Sequence, residues 1–202
     1  MNIITVSRQF GSGGRELAKR MADILEYDYY DNEILSQLAH KKGIDEAYAS
    51  SLLASGAKNI AVTFGRTFTG AVSGNAVKTE LLVAQKEIIE SIAALGRNCI
   101  IVGRCADVIL KDKNPLNIFV CADINARIDR CASREEDTPK SRKEYERIIR
   151  SIDKERAWVR SVMSSGEWGS PLEYDLVVNS SNKDIKRLAE YLAQYAKEWF
   201  LK

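Results

Sequence analysis

The chain has 202 residues, 45% hydrophobic and 29% charged, which is enough for a substantial core in one domain with a smaller subdomain. Its 30 Lys and Arg stand against 28 Asp and Glu, a net charge of +2, so no global field favours a nucleic acid polymer or a membrane. No apolar run approaches the roughly 18 residues of a membrane span; the chain opens straight into a strand, so no secretory leader is expected and a cytoplasmic location is.

Ile3-Ile4-Thr5-Val6 is a β-branched run of the kind that makes a buried parallel strand. The glycine-rich stretch Ser7 to Glu16 follows. Leu17, Ala18, Met21, Ala22, Ile24 and Leu25 then recur at helical spacing. Tyr27-Asp28-Tyr29-Tyr30 reads as a short strand ending at Asp31, and residues 32–42 and 45–55 as two helices parted by Gly43. The span 56–76 is rich in Gly, Ser and Thr and irregular; loops this long in a compact domain tend to be functional or disordered. A helix over about 77–95 is closed by Gly96. Residues 98–102 form an apolar strand leading into Gly103-Arg104 and a helix to about 111. Past Pro115, residues 117–121 make the next strand. Helices follow over about 123–135 and 139–165, separated by an acidic turn. A last strand at 175–179 and a helix at 182–200 close the chain.

Strands separated by helical crossovers predict an α/β fold with a parallel sheet covered on both faces. Ligands of such sheets bind outside the carboxyl ends of the strands. Those ends are Ser7 to Arg15, Asp31, Gly103-Arg104, Ala122-Asp123 and Asn179-Ser180, expected to line one crevice. The four cysteines lack CxxC spacing and read as buried small hydrophobes; His40, beside Lys41 and Lys42, reads as a helix-end residue.

The loop carries the chemistry. Gly11, Gly13 and Gly14 let the backbone approach an anion, and Ser7, Arg8 and Ser12 add side-chain donors. It does not satisfy GxxxxGK[ST] in either register. With Gly14 in the lysine slot, Arg8 holds the first glycine slot; shifted by one, Arg15 replaces lysine and Glu16 replaces Ser/Thr. Arg15 offers a bidentate fork to phosphate, and Glu16 offers Mg²⁺ a carboxylate, directly or through water. Glu16 equally suits the helix dipole alone. Arg104 stands at a strand end, where it meets a second phosphate or a base, or pairs with Asp107 along its helix. In the segment 127–160, Asp153, Arg156 and Arg160 share one helical face, backed by Trp158 and Trp168. Arg127, Arg130 and Arg134 form a second stripe. Most charge in this segment reads as a solvated face, yet phosphoryl transfer needs cations that close over the moving group, and two helices bearing these arginines would make such a lid.

Residues 4–15, Tyr29-Tyr30-Asp31, Ile100 to Asp107, Asp153 to Ala157, Trp168 to Pro171 and Tyr174 to Asn179 together resemble the cytidylate kinase-like family, a group within the P-loop nucleoside monophosphate kinases. The likeness spans essentially the whole chain. It implies a P-loop NTPase-type parallel five-stranded sheet flanked by helices, with core residues about 1–31, 97–126 and 170–202. It also implies a helical acceptor-binding insertion over about 32–96 and a lid region over about 127–165, all within one domain. The implied reaction moves the γ-phosphoryl of ATP to a nucleoside monophosphate, CMP or dCMP first, with Mg²⁺. By position, residues 7–16 hold the ATP phosphates, Asp31 and Arg104 face the acceptor, and lid arginines clamp the transferred group, Arg156 matching best and Arg160 beside it. Arg15 would stand in for the absent lysine, and Glu16 or Ser12 would contact Mg²⁺. Two other readings stay open: a nucleotide-binding protein that signals through lid closure without catalysis, and a kinase of a non-nucleotide metabolite.

Overall fold

The computed structural model describes residues 1–31, 75–135 and 140–201. The helices expected over 32–42 and 45–55, the irregular stretch through position 74, His40 and the acidic turn at 136–139 lie outside the described residues. Five strands appear in chain order: β1 (Ile3–Arg8), β2 (Asp28–Tyr30), β3 (Cys99–Val102), β4 (Leu116–Cys121) and β5 (Leu176–Asn179). The helices are α1 (Gly14–Leu25), α2 (Asn75–Ala94), α3 (Ala106–Ile109), α4 (Ile124–Ala132), α5 (Arg142–Met163) and α6 (Ile185–Trp199), with 3₁₀ turns at Lys111–Lys113 and Pro171–Glu173.

The chain divides into two compact units, one of Met1–Tyr29 with Arg97–Lys202, the other of Tyr30–Gly96. The sheet order is β2-β3-β1-β4-β5, and β1 pairs in parallel with both β3 and β4, as β4 does with β5. This is the five-stranded P-loop α/β arrangement that the sequence led us to expect. β3 is buried along its whole length and β1 at all but its last residue, because helices cover both faces of a parallel sheet and leave no solvent side for polar alternation. The exception proves satisfied: Thr5, 2% exposed, donates to Asn117 Oδ1 at 2.6 Å on the facing position of β4. Leu17, Ala18, Met21 and Ala22 of α1 meet Ala189, Leu192 and Ala196 of α6 over Ile4, Val6, Ile118 and Val120. Burying side chains of this size contributes roughly 1.5–3 kcal/mol each, so this layer anchors the sheet.

A second, smaller cluster lies under the loop after β1. Ile128 and Cys131 of α4 pack with Tyr145 and Ile149 of α5, and Phe10 from the loop joins them. Side chains start both helices firmly: Asp123 accepts the Asn125 amide at the head of α4, and a reciprocal Ser141–Glu144 capping box opens α5. In the second unit, Ile88, Ile89 and Ile92 of α2 are buried.

Candidate active site

β1 and β3 are neighbours, yet the connection after β1 leads toward β2 on one side of the sheet and that after β3 to β4 on the other. A crevice opens at such a switch point. After Arg8 the backbone bonds once more to β4, from the Gln9 amide to the Val120 carbonyl at 2.9 Å, then turns through the glycines. Gly11 and Gly13 have φ of 75° and 80°, a left-handed conformation that side-chain-bearing residues resist. Gly13 is the N-cap of α1 and provides no side-chain cap, whereas Asp123, Ser141 and Asp184 cap α4, α5 and α6. The Gly14 amide donates to Ser12 Oγ at 3.3 Å, and the positive dipole end of α1 meets the loop, the arrangement that holds phosphate.

Arginines from the two following helices grip this loop by its carbonyl oxygens. Arg156 Nη1 donates to the Arg8 carbonyl at 2.8 Å, Arg127 Nη1 to that of Phe10 at 3.3 Å, and Arg130 Nη1 to that of Gly11 at 2.8 Å. Arg130 also reaches the Ser180 carbonyl at 3.3 Å. Asp153 binds the Phe10 amide through Oδ1 at 2.7 Å and forms an ion pair with buried Arg127 through Oδ2. The guanidinium of Arg156 stacks 5.6 Å from the Phe10 ring centroid. Two members of one arginine stripe, Arg127 and Arg130, and one of the other, Arg156, therefore meet on one strand-to-helix loop.

Electrostatics set the tone of the site. Burial, with Arg104 and Arg127 nearby, pushes Arg156 down to about 10 despite the opposing charge of Asp153. Arg130 is likewise lowered, first by burial and then by Arg134. Burial raises Glu155, against the pull of Arg104 and Arg156. Cations crowded in this way favour an anion between them.

Other expected residues are placed differently. Arg160 is buried and paired with Asp107 of α3 and, at 2.8 Å, with Glu173; it reaches that pair instead of the loop. Burial alone would lower it, but Asp107, Tyr174 and Glu173 raise it above the usual arginine range. The partner of Asp107 is thus Arg160, and the Arg104–Asp107 pairing suggested by helical spacing gives way to this contact. Trp168 packs edge-on against Phe119 at 5.2 Å and Trp158 is 42% exposed, so neither backs the arginine face. Arg15 is exposed on the first turn of α1. Ser7 is buried within β1 opposite Phe119, and Asp31, 4% exposed, belongs to the second unit. Arg104 follows Gly103 with φ of 58°. Ser180, read from the sequence as one of the strand ends lining the crevice, is fully buried after β5, and its hydroxyl donates to the Ser12 carbonyl at 2.5 Å.

The resemblance implies Mg²⁺, and two residues were expected to meet it. Both carboxylate oxygens of Glu16 are taken, by Arg20 Nε at 3.0 Å and Arg134 Nη2 at 2.9 Å. Ser12 is fully buried, and its Oγ accepts the Gly14 amide at 3.3 Å. Glu16 is partly exposed and each of its carboxylate oxygens keeps a second lone pair, so its ion pairs do not exclude a cation, whereas Ser12 is buried with its Oγ turned to the Gly14 amide. No cluster of three acidic, His or Cys residues suited to a metal occurs among the described residues.

Comparison with known proteins places this geometry. The profile of the cytidylate kinase-like family matches residues 3–182. No curated protein matches. A crystal structure of an uncharacterized protein from Eubacterium ventriosum superposes with a TM-score of 0.72 at 22% identity, covering 98% of this chain and 99% of that one. The shikimate kinase of Acinetobacter baumannii, in complex with shikimate, gives 0.55 at 12% identity over 100% of this chain and 95% of that one. An unliganded sugar kinase from a Janibacter species gives 0.56 at 14% over 98% and 95%. These likenesses establish a shared fold. With the profile spanning most of its length, the chain belongs to the cytidylate kinase-like family.

Proposed function

We propose that the protein is a phosphotransferase that moves the γ-phosphoryl group of ATP to a nucleoside monophosphate, CMP or dCMP first. The observation that carries this reading is the convergence of Arg127, Arg130 and Arg156 on the loop formed by Gly11 and Gly13 at the uncapped start of α1. An acceptor phosphate oxygen attacks the γ-phosphorus, the bridging β–γ bond breaks, and ADP leaves with that oxygen. No protein nucleophile is needed; positioning and charge neutralisation provide the catalysis.

In this reading the loop amides hold the donor phosphates and Arg156 neutralises charge on the transferred group. Arg127 and Asp153 act as positioning residues, since they hold the Phe10 backbone and α5 together. Arg130 and Arg134 steady the loop and the start of α1 through Gly11 and Glu16. Arg104 is the acceptor-side cation, and Asp31 is assigned to the acceptor on the family resemblance. Arg160 is a positioning residue that ties α5 to α3. Lowered proton affinity at Arg156 leaves it charged throughout neutral pH, as the role requires.

The test is ADP release measured with a panel of nucleoside monophosphates and phosphoryl donors, shikimate-like and sugar acceptors included. Turnover highest with a pyrimidine monophosphate and ATP supports the proposal. Absence of turnover above background with every pair overturns it, and turnover confined to a non-nucleotide acceptor moves the protein to a metabolite kinase.

A further inference from the structure

We infer that Arg8 takes the place of the missing loop lysine as the side-chain cation for the donor phosphates, and that position 14 is glycine because Arg8 fills the space above it. The inference rests on the phosphoryl-transfer reading and names a residue within it.

In the register that puts Gly14 in the lysine slot, the usual loop has glycine where this chain has Arg8 and lysine where it has Gly14. The structure shows that these two positions share one volume. A Cβ on Gly14 would lie 2.7 Å from Arg8 Cβ, 3.2 Å from Arg8 Cγ and 3.1 Å from Val120 Cβ. A side chain at either position therefore excludes one at the other, and the departures at the glycine and lysine slots become a single exchange.

The Arg8 side chain passes over Gly14 and reaches β3, where a Cβ on Gly103 would overlap its guanidinium. It thus spans the crevice mouth from the loop to the neighbouring strand end. Gly103, Arg104 and Cys105 have φ of 76°, 58° and 53°, three successive residues in the left-handed region. A non-glycine residue there is strained, and such strain persists where the surroundings enforce it, often at functional sites. Here it brings the backbone against the Arg8 guanidinium. Arg156 meanwhile donates to the Arg8 carbonyl, so two cations of the site are fixed on one residue. Arg15, the other candidate to replace lysine, is exposed on α1. An arginine fork also binds two phosphate oxygens in a plane where lysine binds as a point charge.

Calorimetric titration of ATP into the intact protein tests this, with thermal unfolding to confirm that each variant is folded. Arg8→Gln, which keeps an aliphatic stem and a polar end but removes the charge, is expected to weaken ATP binding about tenfold or more. Gly14→Lys alone is expected to weaken it as well, because the new side chain meets Arg8. The double variant R8G/G14K restores the glycine and the lysine of the pattern and is expected to bind within about threefold of the parent. That reciprocal rescue is a readout that a merely structural Arg8 would not produce. Parent-like binding by Arg8→Gln overturns the inference, as does a folded R8G/G14K no better than Gly14→Lys. If the parent protein itself binds no ATP, the phosphoryl-transfer reading falls first; the inference alone falls when the parent binds and Arg8→Gln binds equally well.

Discussion

Asp153 of α5 and Phe10 of the glycine loop are joined by a 2.7 Å hydrogen bond from the Phe10 amide, across 143 positions of sequence. The other oxygen of the same carboxylate neutralises Arg127, whose side chain is 7% exposed. One acidic group thus fixes the loop backbone, α4 and α5 at a single point. Asp153→Ala removes the counter-charge of a buried guanidinium, a loss of about 3 kcal/mol by the behaviour of broken buried pairs. Denaturant midpoints with an unchanged slope would show it; a shift below about 0.5 kcal/mol would contradict the assignment.

Arg156 and Arg160 lie one helical turn apart yet divide their work. Arg160→Ala strands buried Asp107 and is expected to lower stability by about 3 kcal/mol while leaving the turnover of folded protein within a few fold. Arg156→Ala loses a hydrogen bond worth about 1 kcal/mol to folding, but is expected to lower kcat about a hundredfold. Paired unfolding and turnover measurements on the two variants check this. Equal effects on both readouts would refute the division.

Glu16 is held by Arg20 and Arg134, all three partly exposed. Exposed pairs contribute at most about 1 kcal/mol, so Glu16→Gln is expected to shift stability by no more than that. Because its oxygens face arginines, the Mg²⁺ concentration giving half-maximal turnover is expected to stay within about twofold of the parent. A large increase in the Mg²⁺ requirement would instead put Glu16 at the metal.

The cysteines are expected to be poor nucleophiles. Burial, with Asp28 adding to it, pushes the Cys99 thiol up to about 11; burial, aided by Asp107 and opposed by Arg160 and Arg104, does the same to Cys105. Cys121 and Cys131 are raised too, chiefly by burial. A folded thiol with a raised value holds its proton more tightly than the unfolded one. Its contribution to stability is therefore present below about 9 and is lost as pH rises toward about 11. With a thiol reagent at pH 8, the native protein should react slowly and the denatured protein should release the signal of all 4 cysteines. Any native thiol reacting at the denatured rate would show that its environment has been misread.

The alternation of strands and helices was legible because it is written locally. Buried parallel strands are near-continuous apolar runs, and Ile3 to Val6 and Cys99 to Val102 show this without any partner in view. The carboxyl-end crevice follows from that order, and so does the loop's place in it. Helical spacing put Arg127, Arg130 and Arg156 on helix faces as lid residues; the structure sets all three on carbonyl oxygens of the loop. Arg160 went elsewhere because four residues of helix advance about 6 Å, enough to leave one structural element and meet the next.

By itself, then, the sequence determined an α/β chain with a glycine loop between its first strand and first helix, since backbone propensity and apolar periodicity act over a few neighbours. Tertiary structure alone decided which charges meet. It set Asp153 on Phe10 and Arg127, Asp107 on Arg160, Glu16 on Arg20 and Arg134, and Arg8 above Gly14. An ion pair or a steric exclusion depends on distances of a few ångströms between residues far apart in the chain, and only packing fixes those.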